Sequence, residues 1–302
     1  MKPFDVYIYG DVNIDLMIPE VSSIPTKGQE VVIPRMYTCI GGGAALTTLG
    51  LARLGLKVCF EGQVGKDLYG TFIREQFQKA GVDTGFLRDS DKETGISLSF
   101  TDQEDRGFIT SRGSNEELDL DQVTEEHLAK ASHVHVTGYG GKERHAMYQR
   151  FVEKASAEGR TVSLDLGWDD TGDWYQGIRD LFPYLDVLFM NEVEAAHYLE
   201  VHNIEDACKL SEQLDCMLVI KCGKKGSYVC QGTRQYVAGV RPVAPVDPTG
   251  AGDSFNAGFL YGFLREKPLE ECLRYGNICG GLSTTAYGGN TAFPGPEVLG
   301  VS

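Results

Sequence analysis

The chain has 302 residues, 42 % of them apolar and 24 % charged, with 28 Lys+Arg against 43 Asp+Glu and a formal charge of −15. Ordinary globular usage excludes a disordered or fibrous protein, and the acidic surplus excludes a nucleic-acid or anionic-membrane partner, whose phosphates need basic patches. Eight cysteines without a single C-x-x-C pair exclude zinc clusters and dithiol redox motifs, and read as small buried hydrophobes in a reducing, cytoplasmic setting.

In chain order, "FDVYIYG" (4–10) predicts a buried first strand. The start "MKPFDVYIYGDVNID" (1–15) lacks the basic, apolar and small-residue succession of a signal peptide. The leucines of "ALTTLGLARLG" (45–55) predict a helix stopped by glycine, "KVCFEGQVG" (57–65) a strand and turn, and "DLYGTFIREQFQKAG" (67–81) an amphipathic helix. Between 86 and 111 the alternation changes: "GISLSF" and "GFITS" around "TDQEDR" predict a hairpin. From 121 the pattern predicts helix to 131, strand "HVHVTG", helix 143–158, strand "TVSLDLG", helix 174–182 and strand "DVLFMNE". Helices in 192–200 and 204–214, strands "CMLVIKCG", "GSYVCQ" and one near 234–237, and helices about 252–265 and 268–286 complete the chain. No stretch approaches about 18 uninterrupted apolar residues, so no membrane span is expected. Strands alternating with helices imply a mainly parallel sheet covered on both faces, carrying a small β flap from roughly 11–38 and 91–112.

The stretch "DPTGAGDSFNAGFLYGFL" (247–264) carries the chemistry. Phe255, Phe259 and Phe263, with Leu260 and Leu264, mark one face of a helix that begins near Asp253. Gly250, Ala251 and Gly252 place small side chains over its first unpaired N–H groups, a ready anion site. Asp253 stands where a general base would take the proton of a hydroxyl attacking phosphorus; as a plain N-cap it would need no Gly-Ala-Gly before it.

That stretch resembles the signature of the ribokinase-like (PfkB) carbohydrate kinases, Asp-Thr-x-Gly-Ala-Gly-Asp-x-Phe. "GDVNID" (10–15), "GGGAALTTLGLARLG" (41–55), "NEVEA" (191–195) and "CGKKG" (222–226) resemble further landmarks of the family, in its order and over nearly the whole chain. The resemblance implies one kinase domain over 1–302, a three-layer α/β/α sandwich with a β lid that often forms a homodimer contact. It implies transfer of the ATP γ-phosphate to a hydroxyl, with Mg²⁺ and in many members K⁺. Asn13 and Asp15 would meet sugar hydroxyls, or else are turn residues. Gly41 and Gly42 would let backbone approach the substrate, and Arg112 would meet an acidic or phosphorylated one or face solvent. Asn191 and Glu194 would act near Mg²⁺ (Glu194 through water) and the phosphates, or form only a capping pair. Gly223 and Gly226 would line the nucleotide, with Lys221 or Lys224 near its phosphates, and Asn277 the adenine, unless Asn277 is merely an exposed helical residue. Asp247 and Thr249 would belong to a monovalent-cation loop closed by backbone near 284–289. Leu46 stands where the family commonly has a sugar-contacting Asn, and Gly43 where ribokinase has Lys, so a sugar other than ribose, or a nucleoside, is the expected acceptor. A Rossmann dehydrogenase and a Walker ATPase are excluded, because the third glycine and the Gly-Lys-Ser/Thr run are both missing. A binding protein that kept the fold without chemistry would have no use for Asp253.

Overall fold

The computed structural model describes residues 2–19, 21, 25–101 and 106–300. Along the chain come β1 (Phe4–Tyr9), β2 (Asn13–Ile18), β3 (Tyr37–Gly41), α1 (Gly43–Arg53), β4 (Val58–Gly65), α2 (Leu68–Lys79), β5 (Asp83–Ser90), β6 (Gly95–Thr101) and β7 (Arg106–Ser111). Then follow α3 (Glu125–Leu128), β8 (Ala131–Thr137), α4 (Gly141–Ser156), β9 (Thr161–Asp165), β10 (Val187–Asn191), α5 (Glu192–Leu199) and α6 (Ile204–Ser211). The hairpin β11 (Met217–Lys221), β12 (Ser227–Gln231), β13 (Arg234–Ala238) leads to the helical pair α7 (Ala251–Leu264) and α8 (Leu269–Ser283).

Nine strands form one sheet in the order β13-β12-β11-β10-β9-β8-β1-β4-β5, parallel except at β11–β12 and β12–β13. The alternation of β1 shows how it is covered. Val6 and Ile8 pack with α1, α2, α7 and α8 on one face, and Tyr7 and Tyr9 with α4, α5 and α6 on the other. All four side chains are buried, as a central parallel strand requires. Buried histidines continue this logic: His133 and His135 share a face, both hydrogen-bonding Ser163 Oγ at 2.7 Å, and burial holds their pKa down at about 3 and about 4.

The second sheet runs β3-β2-β6-β7. Its β6–β7 pair is the antiparallel hairpin the periodicity predicts, and turn residues 102–105 lie outside the described residues. The flap takes in β3 as far as Gly41, three residues beyond the expected limit of 38.

Two predicted helices are broken up. Over 121–131 the chain makes a 3₁₀ turn at Leu120–Gln122 and then the short α3, because the Thr124 side chain accepts from His127 N and starts a new helix. Over 174–182 it forms a 3₁₀ helix at Gln176–Tyr184, entered through Trp174 at φ 46° and containing Pro183, which has no N–H to extend an α-helix. The edge strand β5 has no counterpart in the sequence pattern. Its "DTGFLRDS" buries only Leu87 and Ser90, so no apolar alternation marks it.

The helical pair α7–α8 packs without spare room: a Cβ at Gly258 would come 2.5 Å from Tyr275 O and 2.9 Å from Cys279 Sγ. Helix propensity alone favours Gly→Ala by about 1 kcal/mol, but overpacking against fixed backbone costs about 1–3 kcal/mol. Gly258→Ala is therefore expected to lower the midpoint of denaturant unfolding, against its propensity.

Candidate active site

Three neighbouring parallel strands end together, β9 in Asp165, β10 in Asn191 and β11 in Lys221, with Asn191 and Lys221 in register. The crevice at the carboxyl ends of such strands is where open α/β sheets bind ligands. Into it point the first turns of α1 and α7. Gly250 sits at φ 71° at the mouth of α7, and a Cβ there would lie 2.7 Å from Leu46 Cδ1 and 2.8 Å from Gly289 Cα. Both the backbone angle and the lack of room demand glycine.

Asp253, half-buried in the first turn of α7, faces the start of α1: a Cβ at Gly43 would stand 3.0 Å from its Oδ1. The two helix starts differ in what fills them. At α1 the Asp11 carboxylate accepts from Gly43 N at 3.1 Å, Ala44 N at 3.2 Å and Thr137 Oγ1 at 3.3 Å, so that positive end is already neutralised. At α7 no side chain caps the helix. The Ala251 amide turns back to Pro248 O at 3.3 Å, while among the described residues the amides of Gly250 and Gly252 meet no protein acceptor. Of the three amides of the expected nest, two are therefore open and the third is turned back on its own loop.

Charge is concentrated beneath this helix end. Lys221 Nζ donates to Asp165 Oδ2 at 2.9 Å and to Asn256 Oδ1 at 3.3 Å, and Asn256 Nδ2 donates to Asp165 Oδ2 at 2.5 Å. Burial works against the ammonium of Lys221, but Asp165, Glu194 and Asp253 outweigh it and hold its pKa above the usual range. Burial is also the main reason the Asp253 pKa rises to about 7; Asp165, Asp11 and Glu194 push it the same way and Lys221 opposes them. A carboxyl group poised near neutrality in a cleft has the pKa expected of a general base.

Asn13 and Asp15 are strand residues rather than turn residues. Asn13 pairs with Gly41 and Gly95 in the small sheet, and its Nδ2 donates to Asp15 Oδ1 at 2.8 Å. Burial raises the Asp15 pKa to about 6 against that hydrogen bond, with Asp11 and Asp247 adding to the rise. Gly42 holds φ 96°, and a Cβ there would meet Asp11 O at 2.6 Å. Arg112 follows β7 on the same side, more than half exposed and ion-paired with Asp170 in the loop after β9. Trp174, near that loop, stacks on His197 at 4.4 Å and meets Tyr198 edge-on, while Trp168 is 63 % exposed.

On the opposite side, Asn191 and Glu194 form the capping box that their spacing allows. Asn191 N and Nδ2 donate to the two Glu194 oxygens at 2.8 and 2.7 Å, and Asn191 Oδ1 accepts from Glu194 N. Burial, then Asp165, raises the Glu194 pKa, so this carboxylate belongs electrically to the same cluster. Gly223 and Gly226 make the turn between β11 and β12, closed by Cys222 N to Gly226 O at 2.8 Å. Lys225 lies outside it in an exposed pair with Glu192.

Asn277 is neither exposed nor free for a ligand. It is buried and bonded to Ser227 Oγ, Ala238 O and Gly239 O at 3.0–3.3 Å, tying α8 to the β12–β13 hairpin. The alternative of an exposed helical residue is corrected on that ground. Asp247 Oδ1 accepts from Thr249 N and Oγ1, Oδ2 from Gly288 N at 3.0 Å, and Asp247 N reaches Thr284 O, so the 247–249 and 284–288 segments do lie together.

Sequence reasoning missed Asp165, Asn256 and Asp11. Each left a signal: an Asp at the end of an apolar strand, an Asn amid the apolar residues of a helix, and an Asp directly after β1.

Comparison with known proteins agrees with this geometry. The profile of the pfkB family carbohydrate kinases matches residues 4–295. An ATP-dependent ribose-1-phosphate kinase of Halopiger xanaduensis is 31 % identical over 94 % of this chain and 93 % of its own length. An uncharacterised sugar kinase of Archaeoglobus fulgidus is 29 % identical over 82 % of this chain and 98 % of its own. Among solved structures, Arabidopsis thaliana ribokinase complexed with ribose and ATP superposes with a TM-score of 0.83 at 24 % identity, over 99 % of this chain and 98 % of that one. The chain belongs to the pfkB family of carbohydrate kinases and is a phosphotransferase.

Proposed function

We propose that this kinase transfers the γ-phosphate of ATP to a hydroxyl, by preference a primary one, of a small sugar or sugar derivative, with Asp253 as the general base. The observation that carries the reading is the contrast between the two helix starts. Asp11 occupies the positive end of α1, whereas α7 keeps the amides of Gly250 and Gly252 open beside a carboxyl group whose pKa is raised to about 7. Charge developing on the transferred phosphoryl group would be met by those amides and by Lys221; losing one such donor costs ~10²–10³ in rate in known cases.

Asn13 and Asp15 would hold acceptor hydroxyls from the small sheet, with Gly41 and Gly42 allowing the approach. The nucleotide would lie over Lys221 and the Gly223–Gly226 turn, beside Asn191. Mg²⁺ would come with the ATP phosphates. Among the described residues no group of three or more His, Cys, Asp or Glu could hold an ion alone, and Mg²⁺ commonly keeps several waters and takes one or two carboxylates; Glu194 through water and Asp165 fit that need. The closed Asp247–Thr249 loop supports a K⁺ site there. A homodimer through the small sheet is part of the same reading, supported by Phe108 and Ile109, which are 56 % and 64 % exposed on β7.

Leu46 favours an acceptor other than ribose. It is buried, and its Cδ1 packs under Gly250 and Gly289 instead of reaching toward a sugar. Arg112 would exchange Asp170 for the anion of a sugar phosphate or sugar acid, as the name of the Halopiger relative encourages.

With Mg-ATP and a panel of sugars, sugar phosphates, sugar acids and nucleosides, ADP release is expected to depend on a member of the sugar classes; dependence on nucleosides alone would overturn that part of the reading. Asp253→Asn is expected to lower kcat at least ~10²-fold while ATP still binds. In the parent enzyme kcat/KM is expected to fall about tenfold per pH unit below about 7, because protonating Asp253 removes the base.

The same shift has a consequence for stability. Folding raises the Asp253 pKa from 3.8 to about 7, so the folded state binds this proton more tightly, and ionising the group at higher pH weakens the fold. Asp253→Asn is therefore expected to melt higher than the parent at pH 8 in the absence of ligands, with the gain shrinking as pH falls toward 4.

A further inference from the structure

Cys208 on α6 and Cys230 on β12 bring their sulfurs to 2.6 Å. Non-bonded heavy atoms ordinarily stop at about 3.5–4.0 Å. Both positions lie on the α4–α6 face of the sheet, with Cys208 half-buried and Cys230 buried behind it. Cys208 Sγ also reaches Gln235 Oε1 at 3.4 Å, and Cys230 Sγ approaches Ile204 O at 3.9 Å, so polar atoms flank the pair. Cys230 pairs with Leu218 near the start of β11, the end of the strand remote from Lys221 and the cleft. The pair thus lies outside the candidate active site.

We propose that Cys208 and Cys230 are a modification site that closes to an intrachain disulfide under a peroxide oxidant. The more exposed Cys208 thiolate attacks one oxygen of hydrogen peroxide, giving a sulfenic acid and releasing hydroxide. The Cys230 sulfur then attacks the sulfenic sulfur, and its proton leaves with the displaced hydroxyl as water. Two thiols are oxidised by two electrons and one peroxide is reduced to two waters. Cys230 is the poorer first nucleophile, because burial and then its contact with Cys208 raise its pKa, and its sulfur 2.6 Å from that of Cys208 is placed for the second step. The bond would fasten α6 to the antiparallel end of the large sheet, where α6 is only an eight-residue helix.

The test treats the full-length protein with hydrogen peroxide, then maps peptides without reduction and melts the protein. A cross-linked peptide pair containing Cys208 and Cys230, lighter by two hydrogen atoms and released by dithiothreitol, is expected. A rise in Tm of roughly 5 °C should accompany it, since closing a loop of this size restricts the unfolded chain. Both signals should vanish in Cys208→Ser, a half-exposed change away from the cleft that leaves the protein folded. Over-oxidation of Cys208 without a cross-link, or a cross-link to another cysteine, would overturn the proposal.

Discussion

The close approach of α1 and α7 is the constraint on which the rest of the molecule turns. Along their contact the chain uses the smallest side chains: a Cβ at Gly50 would lie 2.7 Å from the Cβ of Ala257, and Gly43 leaves room only for the Asp253 carboxylate. Small residues at this contact bring two helix N-termini, each carrying partial positive charge, toward one point at the strand ends. Two such ends cannot both stay unneutralised at no cost. Asp11 settles one of them, and the other remains available. What distinguishes the two helix starts in this fold is a single carboxylate, Asp11, with only Gly10 between it and the end of β1.

The charges below that point explain why the arrangement holds together. Asp165, Glu194 and Asp253 surround one ammonium, Lys221, and Asn256 fills the remaining hydrogen-bonding capacity of Asp165. One cation cannot hold three carboxylates fully ionised in a partly dry setting. Burial first, and then repulsion among these carboxylates, raises the pKa values of Glu194 and Asp253. A group held near neutrality in this way costs the empty protein stability, a trade common where function sets the arrangement.

Much of this was legible in the sequence, and the exceptions have physical causes. β10 and β11 announce themselves because burial on both faces leaves the continuous apolar runs VLFM and MLVI. The helix start at 250–253 is legible because two glycines and a carboxylate stand together directly ahead of apolar residues at helical spacing. β5 is silent because an edge strand buries so little, and 121–131 misleads because helical spacing of apolar residues persists across the Thr124 cap that divides it. Asp165 and Asn256 are invisible as partners, since they stand 91 positions apart and are bridged only when β9 and α7 meet in space. The burial of Asn277 is hidden for the converse reason: a polar residue in a helix says nothing about whether a β-hairpin already uses its amide.

The small sheet has a consequence for how the enzyme can diversify. Asn13 and Asp15 belong to β2, while Asp253 and Lys221 belong to the body, and the two groups are joined through the short Gly10–Val12 and Gly41–Gly42 connections. With Asn13 and Asp15 as the acceptor's partners and Asp253 as the base, recognition and phosphoryl chemistry would occupy separate modules. On that reading, substitutions on the small sheet would retune which alcohol is chosen while the charge balance under α7 stays untouched.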